Sequence, residues 1–372
     1  MGHLTFIARN LLGRPVRTAL TALGLAVAVA AVMLLTGISW GFERSFLAIY
    51  RSRGIDLVVV RAGISDQLSS NLDEDLADVL RAIPGVEALS PSLMDAVSFE
   101  EANLVSVLAN GWEPGGLLAR GLRILKGRAL RPGDGRVVLL GRVLALNLGK
   151  DVGDPISVAG ESFRVVGVYE SDSLFENGGL VMPLRELQRM MGRQGQVTGF
   201  VIVAQPGTDP RALGRRIEER VSGVAAVPAR DYVQTNIQIR LSKAMAWATT
   251  AVALALGSIG LLNTMAMAVF ERTGEIGLLR ALGWRRRRVI LLLLGEAAGL
   301  GMLGVLGGSG LAVVGVRALR LAPTSRGYIE PNLSPAVLGI GLAMGLGLTL
   351  LGGAYPAWRA SRLEPTEALR HE

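Results

Sequence analysis

The chain contains 372 residues, of which 50% are hydrophobic, and it carries a formal net charge of +8 at pH 7. Its mean hydropathy of +0.41 is higher than a soluble domain needs to fill its core, which points to a membrane protein. Because the chain has no cysteine, a disulfide framework, a thiolate metal site and a cysteine nucleophile are all excluded.

Four long runs of apolar residues predict four membrane-spanning helices. In chain order they cover Thr18–Ser39, Ala244–Phe270, Val289–Val316 and Leu333–Trp358, and the third contains a single charged residue, Glu296. About 20 apolar residues at 1.5 Å each cross the roughly 30 Å hydrocarbon core, so each run is long enough to span. The first run follows basic residues, as the apolar region of a signal peptide would. We interpret it as an uncleaved anchor because it is longer than such a region and three further spans follow.

The arginines beside these runs predict the orientation of the chain. Twelve of them lie in the N-terminal segment, in the loop after the second run and in the C-terminal tail, whereas three lie between the third and fourth runs. Lys and Arg in short flanking segments are retained in the cytoplasm. Both termini and the loop that contains Arg285–Arg288 are therefore expected on the cytoplasmic side.

The long segment between the first and second runs predicts a mixed α/β domain on the opposite side of the membrane. IDLVVV, RVVLL, FRVVGVYE and GFVIVAQ have the composition of strands, and NLDEDLADVLRAIPGV has the spacing of an amphipathic helix that ends at Pro84 and Gly85. The segment DYVQTNIQIRLSKAMAW contains no helix breaker, so it predicts a helical stalk that leads directly into the second span.

The predicted fold class is an α-helical membrane protein with four transmembrane helices and an extracytoplasmic α/β domain inserted between helices 1 and 2. The predicted segments are the cytoplasmic N-terminus with the first span (1–40), the α/β domain with its stalk (41–243), the second span (244–270), a cytoplasmic loop (271–288), the third span (289–316), a short extracytoplasmic loop (317–332), the fourth span (333–358) and a cytoplasmic tail (359–372).

Residues that could support catalysis are scarce in the sequence. The two histidines, His3 and His371, lie at opposite ends, and neither an H-E-x-x-H motif, a G-x-S-x-G motif nor a cluster with metal-ligand spacing occurs. The G-x-x-x-x-G-K-[ST] phosphate loop is also absent, so ATP binding by that route is not expected on this chain. The basic residues lie at the ends of the apolar runs without interleaved aromatics, which argues against nucleic acid. We predict no catalytic residue, no metal site and no nucleic-acid partner.

The segment TGEIGLLRALGWRRRR, between the second and third runs, predicts a short helix with Thr273 as its N-cap. The apolar residues of this helix are Ile276, Leu278, Leu279, Ala281 and Leu282. These residues spread around most of the circumference of the helix, so few side chains other than Arg280 are suited to contact with water. Such a helix needs an apolar host, and both the membrane surface and a groove on a partner protein fit that need.

The stretch ERTGEIGLLRALGWRRRRVILLLLGEA resembles the core of the FtsX-like permease family, the membrane subunits of MacB-type ABC transporters. The family pattern runs N-x-M, then E-R-x-x-E-I-G-x-x-R-A-x-G, a basic stretch and a glutamate in the next span. The matching residues are Asn263, Met265, Glu271, Arg272, Glu275, Ile276, Gly277, Arg280, Ala281, Gly283 and Glu296. The tail YPAWRASRLEPTEALRHE resembles the closing pattern of the family, and FRVVGVYESDSLFENGGLVMPLRELQRMMG resembles the periplasmic core domain of MacB-type proteins.

The resemblance implies that the short helix is a coupling helix, docked in a groove of a nucleotide-binding subunit. The residues assigned to ATPase coupling are Glu271, Arg272, Glu275, Ile276, Leu278, Leu279, Arg280, Leu282 and Gly283. The implied assembly is a dimer of permeases in the lipid membrane, either a homodimer or a closely related heterodimer. Two ATPase subunits bind to this dimer, and a periplasmic adaptor protein is a further possible partner. Because the phosphate loop is missing, the ATPase is expected on a separate chain, unlike in MacB itself, where both parts are fused. No cofactor is expected on this chain, and ATP and Mg²⁺ are expected on the partner.

Two polar residues within the predicted spans, Asn263 and Glu296, either hydrogen-bond between helices or have a functional role. The glycines of the third run, which include Gly299, Gly304 and Gly308, are typical of close helix packing, and a dimer interface is one place for such packing.

The function implied by the resemblance is that of a transporter permease in the bacterial inner membrane. ATP binding moves the coupling helices, and the stalks then drive the outer domains, which export or extract a substrate at the outer face. The alternative is an FtsX-type signalling scaffold that activates an extracytoplasmic cell-wall hydrolase. The length of the segment 41–243 favours transport, because FtsX proper has a much smaller outer segment.

Overall fold

The computed structural model describes residues 15–64, 67–321 and 334–362. The N-terminal segment up to residue 14 lies outside these residues, as do most of the loop predicted at 317–332 and most of the tail predicted at 359–372. The described residues form two compact units. One contains residues 15–40, 242–319 and 334–362, and the other consists chiefly of residues 41–241.

The described part of the chain contains twelve α-helices and twelve β-strands. The helices are Pro15–Arg51 (α1), Leu76–Arg81 (α2), Leu117–Arg120 (α3), Arg142–Leu148 (α4), Leu174–Asn177 (α5), Leu184–Met190 (α6), Pro210–Arg220 (α7), Ala229–Thr235 (α8), Ile237–Glu271 (α9), Thr273–Ala281 (α10), Arg286–Leu321 (α11) and Pro335–Ser361 (α12). The strands are Leu57–Arg61 (β1), Leu72–Asp73 (β2), Val86–Phe99 (β3), Leu104–Trp112 (β4), Arg123–Gly127 (β5), Val137–Gly141 (β6), Pro155–Val158 (β7), Glu161–Glu170 (β8), Leu180–Pro183 (β9), Gln196–Val197 (β10), Gly199–Ala204 (β11) and Val224–Pro228 (β12).

Four helices, α1, α9, α11 and α12, are long and apolar enough to cross a membrane. They contain 37, 35, 36 and 27 residues, against the roughly 20 that a span requires. The α/β unit lies between α1 and α9 in the chain. The predicted fold class, four membrane helices with an α/β domain inserted between the first two, is therefore confirmed.

The first helix continues beyond the predicted span, which ended at Ser39, and reaches Arg51. In this extension Phe42 and Phe46 are four residues apart and so lie on one side of the helix. Both rings pack on Phe175 of α5, with ring centroids 4.5 Å and 4.2 Å away. This aromatic contact explains why the helix persists where the apolar run stops.

The stalk that the sequence predicted as one helix is interrupted at Asn236. Helix α8 ends at Thr235, Asn236 adopts a non-helical conformation with φ −58° and ψ 127°, and α9 begins at Ile237. Asparagine side chains compete with the backbone for hydrogen bonds and so favour helix ends over helix interiors. The prediction that this segment contains no helix breaker was therefore wrong.

The α/β unit is built on one ten-stranded mixed sheet with the order β12-β1-β11-β3-β4-β9-β6-β8-β5, and β7 pairs with β8. The pairs β4–β9 and β6–β8 are parallel, and the other ladders of this sheet are antiparallel. Strands β2 and β10 form a separate two-stranded sheet.

Strand β1 of the large sheet is buried on both faces. Side chains alternate between the two faces of a strand. Leu57 and Val59 belong to one hydrophobic core, whereas Val58 and Val60 belong to a second core on the other face, together with Tyr50 of α1. The uninterrupted apolar run of this strand follows from burial on both sides.

The membrane unit has its own apolar core, to which every one of its described helices contributes. Val29 of α1, Met265 of α9, Ala297 of α11 and Leu348 of α12 are fully buried in a single cluster. Ile276 of the short helix α10 belongs to the same cluster. Helix α10 is therefore packed on the membrane helices and is not an isolated loop segment.

Candidate coupling site

The candidate site centres on α10, the nine-residue helix between α9 and α11. Its C-terminal turn closes on Gly283, which has φ +87°, a left-handed conformation that glycine adopts without strain. The amide of Gly283 donates to the carbonyl of Arg280 at 3.1 Å, and the amide of Trp284 donates to the carbonyl of Leu279 at 3.1 Å. These bonds satisfy carbonyls that the end of a helix would otherwise leave open.

Thr273 does not cap α10, contrary to the sequence prediction. The residue at the N-cap position is Arg272, and the Thr273 hydroxyl donates to the carbonyls of Val269 at 3.1 Å and Phe270 at 2.9 Å. Helix α9 ends at Glu271, so both carbonyls belong to its last turn and lie within reach of this hydroxyl. Thr273 therefore binds α10 to the end of α9.

Helix α10 has one buried side and one exposed apolar side. Ile276 and Gly277 are buried. Leu278 and Leu282 are 53% and 72% exposed, and Glu275 is exposed beside them. Because Leu278 and Leu282 are four residues apart, they lie on the same side of the segment. The arrangement offers an apolar contact surface with a carboxylate at its edge, and it offers no reactive group.

Leu279 and Arg280 complete the predicted coupling set on α10, and both are half-buried. The sequence alone described a helix that was apolar around most of its circumference. In the structure one part of this apolar circumference, at Ile276, packs on the membrane helices. Another part, at Leu278 and Leu282, is exposed.

Glu271 and Arg272, which the family resemblance assigned to ATPase coupling, form ion pairs with other helices of the same chain. The carboxylate of Glu271 accepts from the Arg17 guanidinium on α1 at 2.7 Å. The guanidinium of Arg272 lies 3.2 Å from the carboxylate of Glu296 on α11. The structure thus brings three of the predicted residues together at one end of the membrane helices.

The two polar residues of the predicted spans lie in different surroundings. Glu296 is buried, with 7% of its side chain exposed, and it is paired with Arg272. An acidic side chain inside a membrane is costly unless it has such a partner. Asn263 lies on the exposed side of α9.

The predicted packing glycines of α11 meet the first helix of the same chain. A Cβ added at Gly304 would lie 2.6 Å from the Cβ of Leu25, and one added at Gly308 would lie 2.8 Å from the Cβ of Val29. Gly299 is half-buried. Gly304 and Gly308 therefore serve contact between α1 and α11 within one chain, which differs from the dimer interface considered from the sequence.

From the sequence, Arg17 and Arg359 are expected only to fix the orientation of the chain by their charge. In the structure Arg17 pairs with Glu271, and the Arg359 guanidinium of α12 lies 5.7 Å from the ring centroid of Phe270. Their position in the sequence could have indicated these contacts, because both arginines lie at the same predicted membrane boundary as Glu271 and Arg272.

Within residues 15–64, 67–321 and 334–362, no group of three or more His, Asp or Glu side chains could hold a metal ion.

Two family models match the sequence. The model described as MacB-like periplasmic core domain matches residues 18–220, and the model described as FtsX-like permease C-terminal matches residues 247–365. The first match alone covers more than half of the chain.

Individual relatives agree with these matches. The chain is 29% identical over 397 aligned residues to the macrolide export ATP-binding/permease protein MacB of Nitrobacter winogradskyi, covering 95% of this chain and 58% of the relative. It is 25% identical to the lipoprotein-releasing system transmembrane protein LolC of Xylella fastidiosa, covering 94% of this chain and 92% of the relative. The chain thus spans little more than half of the MacB relatives and nearly all of this LolC relative.

Among solved structures, the periplasmic region of MacB from Actinobacillus actinomycetemcomitans aligns with 49% of this chain and 94% of its own, with a TM-score of 0.40 and 16% identity.

Proposed function

Because the chain belongs to the family of FtsX-like permeases with a MacB-like periplasmic core domain, we propose that it is the membrane subunit of an ABC transporter and couples ATP hydrolysis by a separate subunit to movement of its α/β domain. ATP and Mg²⁺ would bind to that separate subunit, and no cofactor is assigned to this chain. The movement drives export or extraction of a substrate at the outer face of the membrane.

The observation that carries the proposal is the exposed apolar side of α10. Leu278 of α10 and Leu282, which directly follows this helix, are exposed, while the opposite side of α10 packs on the membrane core. An exposed apolar surface with a charged edge is typical of a protein contact. A groove on the ATPase subunit would bury both leucines and leave Glu275 at the rim.

The arginine distribution supports the orientation of the proposed assembly. Arg272, Arg280 and Arg285–Arg288 lie at the α10 end of the membrane helices. On the positive-inside rule this end is cytoplasmic, where an ATPase and its nucleotide are available. We accordingly place both termini in the cytoplasm of a bacterial cell and the α/β domain outside its inner membrane, with two permease chains and two ATPase subunits in the working complex.

The names of the two relatives assign macrolide export to one and lipoprotein release to the other. We propose the same kind of process, release or export at the outer face, for this chain, without assigning either substrate to it. The MacB-like core domain match over residues 18–220 favours this function over an FtsX-type scaffold.

The experiment that tests the proposal is a tagged pull-down from solubilised native membranes, with the bound proteins identified by mass spectrometry. The wild-type chain is compared with the double variant L278D/L282D. The matched control is L146D, which makes the same change at an exposed leucine of α4 in the α/β unit.

An ATPase with a phosphate loop should be recovered with the wild type and with L146D, and its yield should fall at least tenfold with L278D/L282D. Failure to recover any ATPase with the wild type would contradict the proposal. Recovery of a cell-wall hydrolase together with the ATPase would support the scaffold function instead.

A further inference from the structure

The last two residues of α9, Phe270 and Glu271, and the following residue, Arg272, each contact a different membrane helix. We refer to these three residues as the junction. The contacts are those of Phe270 with Arg359 on α12, of Glu271 with Arg17 on α1, and of Arg272 with Glu296 on α11. The junction thus connects α9 to each of the other three membrane helices. It immediately precedes α10, which begins at Thr273.

The pair between Arg272 and Glu296 is the most buried of these contacts. The two side chains are 19% and 7% exposed, and the Arg272 Nη1 donates to the Glu296 Oε1 at 3.2 Å. Glu296 lies ten residues into α11, about 15 Å along the helix axis. Each charge compensates the other where water is scarce, so separating them is strongly unfavourable. The pair therefore fixes the end of α9 against α11.

The contact with α1 consists of two hydrogen-bonded pairs. Besides the ion pair of Arg17 with Glu271, the hydroxyls of Thr21 and Thr264 are 3.0 Å apart. Thr21 follows Arg17 by one helical turn, and Thr264 precedes Glu271 by two turns. Two polar contacts along the same pair of helices hold α1 against α9 in position and in rotation.

Helix α10 is itself bonded to the junction. The Thr273 hydroxyl donates to the carbonyls of Val269 and Phe270, and the amide of Ile276 donates to the carbonyl of Arg272 at 3.0 Å. A displacement of α10 therefore reaches the junction through short hydrogen bonds, without an intervening flexible loop.

We propose that the junction is the point at which a displacement of α10 is distributed to all four membrane helices, with Arg272 and Glu296 as the main positioning residues. The inference rests on the proposed function, in which the ATPase moves α10. It revises the assignment of Glu271 and Arg272, which transmit movement and do not contact the ATPase. It also assigns Glu296 a role as the ion-pair partner of Arg272 and not as part of a substrate path.

The test uses the full chain, purified together with its ATPase subunit in lipid nanodiscs. Because the chain has no cysteine, Val105→Cys on the α/β unit and Leu291→Cys on α11 provide two unique sites for spin labels, and both side chains are exposed. Double electron–electron resonance spectroscopy then measures the distance between the labels with and without a non-hydrolysable ATP analogue. The yield of bound ATPase is measured in the same preparations.

The variants are R272Q, E296Q and the conservative R272K, and the control is R142Q. Arg142 forms an ion pair with Glu170 in the α/β unit, so the control makes the same change at an ion pair outside the membrane unit. E296Q keeps the size of the side chain and a hydrogen-bond acceptor for Arg272, and it decides the test if R272Q does not assemble.

The expected result is that R272Q and E296Q keep at least half of the bound ATPase but lose at least two thirds of the nucleotide-dependent distance shift. R272K and R142Q should keep most of that shift.

A full shift in both R272Q and E296Q would overturn the inference, because the pair would then be dispensable for transmission. Loss of the ATPase in both variants would overturn it as well, because the residues would then act in docking. If no ATPase accompanies the wild type, the proposed function fails, and the inference falls with it.

Discussion

Arg53 and Glu176 form a buried ion pair in the α/β unit. Nη1 and Nη2 of Arg53 each lie 3.0 Å from a carboxylate oxygen of Glu176, and the two side chains are 1% and 4% exposed. Arg53 also donates to the carbonyls of Leu118 and Ile49, at 2.7 Å and 2.8 Å, and the Ser171 hydroxyl donates to Glu176. The segment that follows α1 is thereby fixed to α3 and α5.

Removing one member of this pair should destabilise the α/β unit strongly. Glu176→Leu leaves the guanidinium of Arg53 buried without a counter-charge, and we expect the free energy of unfolding to fall by about 3–5 kcal/mol. Denaturant titration of the detergent-solubilised protein, followed by tryptophan fluorescence, measures this change. The control is Asp78→Leu, whose ion pair with Arg81 is exposed and contributes about 0.5 kcal/mol or less. Equal losses in the two variants would contradict the assignment.

The space that the guanidinium occupies depends on Gly121. A Cβ at this position would lie 2.6 Å from Nε of Arg53, a side chain held by several hydrogen bonds and unable to move without breaking them. We expect Gly121→Ala to lower the free energy of unfolding by about 1–3 kcal/mol.

Gly135→Ala is the control for this substitution, because no atom lies within 4 Å of the added Cβ and the residue does not have a positive φ. Both changes restrict the unfolded chain similarly, so the difference between them isolates the steric term. An equally tolerated Gly121→Ala would show that Arg53 is not confined as described.

Close packing of α1 on α11 should depend on Gly308. A Cβ there would lie 2.8 Å from the carbonyl oxygen of Ala26 and 2.8 Å from the Cβ of Val29, so the helices must separate. We expect Gly308→Ala to destabilise the membrane unit by about 1–3 kcal/mol, measured as the midpoint of unfolding in mixed detergent micelles. Gly310→Ala, in the same helix with open space around the added Cβ, should change that midpoint little. Equal midpoints for the two variants would contradict this packing.

The carboxylate of Asp134 should give the α/β unit an acid-sensitive contribution to stability. It accepts two hydrogen bonds from Arg128, at 2.6 Å and 2.8 Å, and one from the amide of Arg131. The Arg128 guanidinium holds the pKa of Asp134 below its ordinary value. A lowered pKa means that the stabilisation is present above the unfolded pKa of about 3.9 and is lost as the pH falls through the folded pKa.

Asp134→Asn should therefore lower the free energy of unfolding by about 1–2 kcal/mol at pH 7, and the difference from the wild type should shrink as the pH is lowered below about 3.9. Denaturant midpoints measured across this pH range test the expectation. Asp75→Asn, at an exposed carboxylate that makes no capping hydrogen bond, is the control. A difference that does not depend on pH would contradict the role of the Asp134 charge.

The elements that the sequence predicted best are those fixed by local patterns. Apolar runs predicted the membrane helices, the buried run at β1 predicted a strand, and the short apolar segment ending at Gly283 predicted α10. The non-helical conformation of Asn236 was missed because a single asparagine is a weak signal within a polar helical segment. The extension of α1 was missed because Phe42 and Phe46 become buried only through Phe175, far away in the chain.

The contacts within the candidate site were harder to predict for the same physical reason. Arg17 and Glu271 are separated by 254 positions, and Arg272 and Glu296 by 24, so their pairing follows from how the helices pack. Motif resemblance identified Glu271 and Arg272 but not the direction in which they face. The sequence identified Leu278 and Leu282 as apolar, and the family resemblance assigned them to contact with an ATPase, which stays a prediction.

The proposed function requires that ATP binding to the partner subunit moves the α/β unit of this chain. The distance between spin labels at Val105→Cys and Leu291→Cys is measured in nanodiscs with the recovered ATPase and a non-hydrolysable ATP analogue. The comparison uses an ATPase whose phosphate-loop lysine is replaced, so that it assembles without responding to nucleotide. We expect a shift in the distance with the intact ATPase and none with the altered one. Identical distance distributions in the two samples, with the nucleotide bound to the intact ATPase, would contradict it.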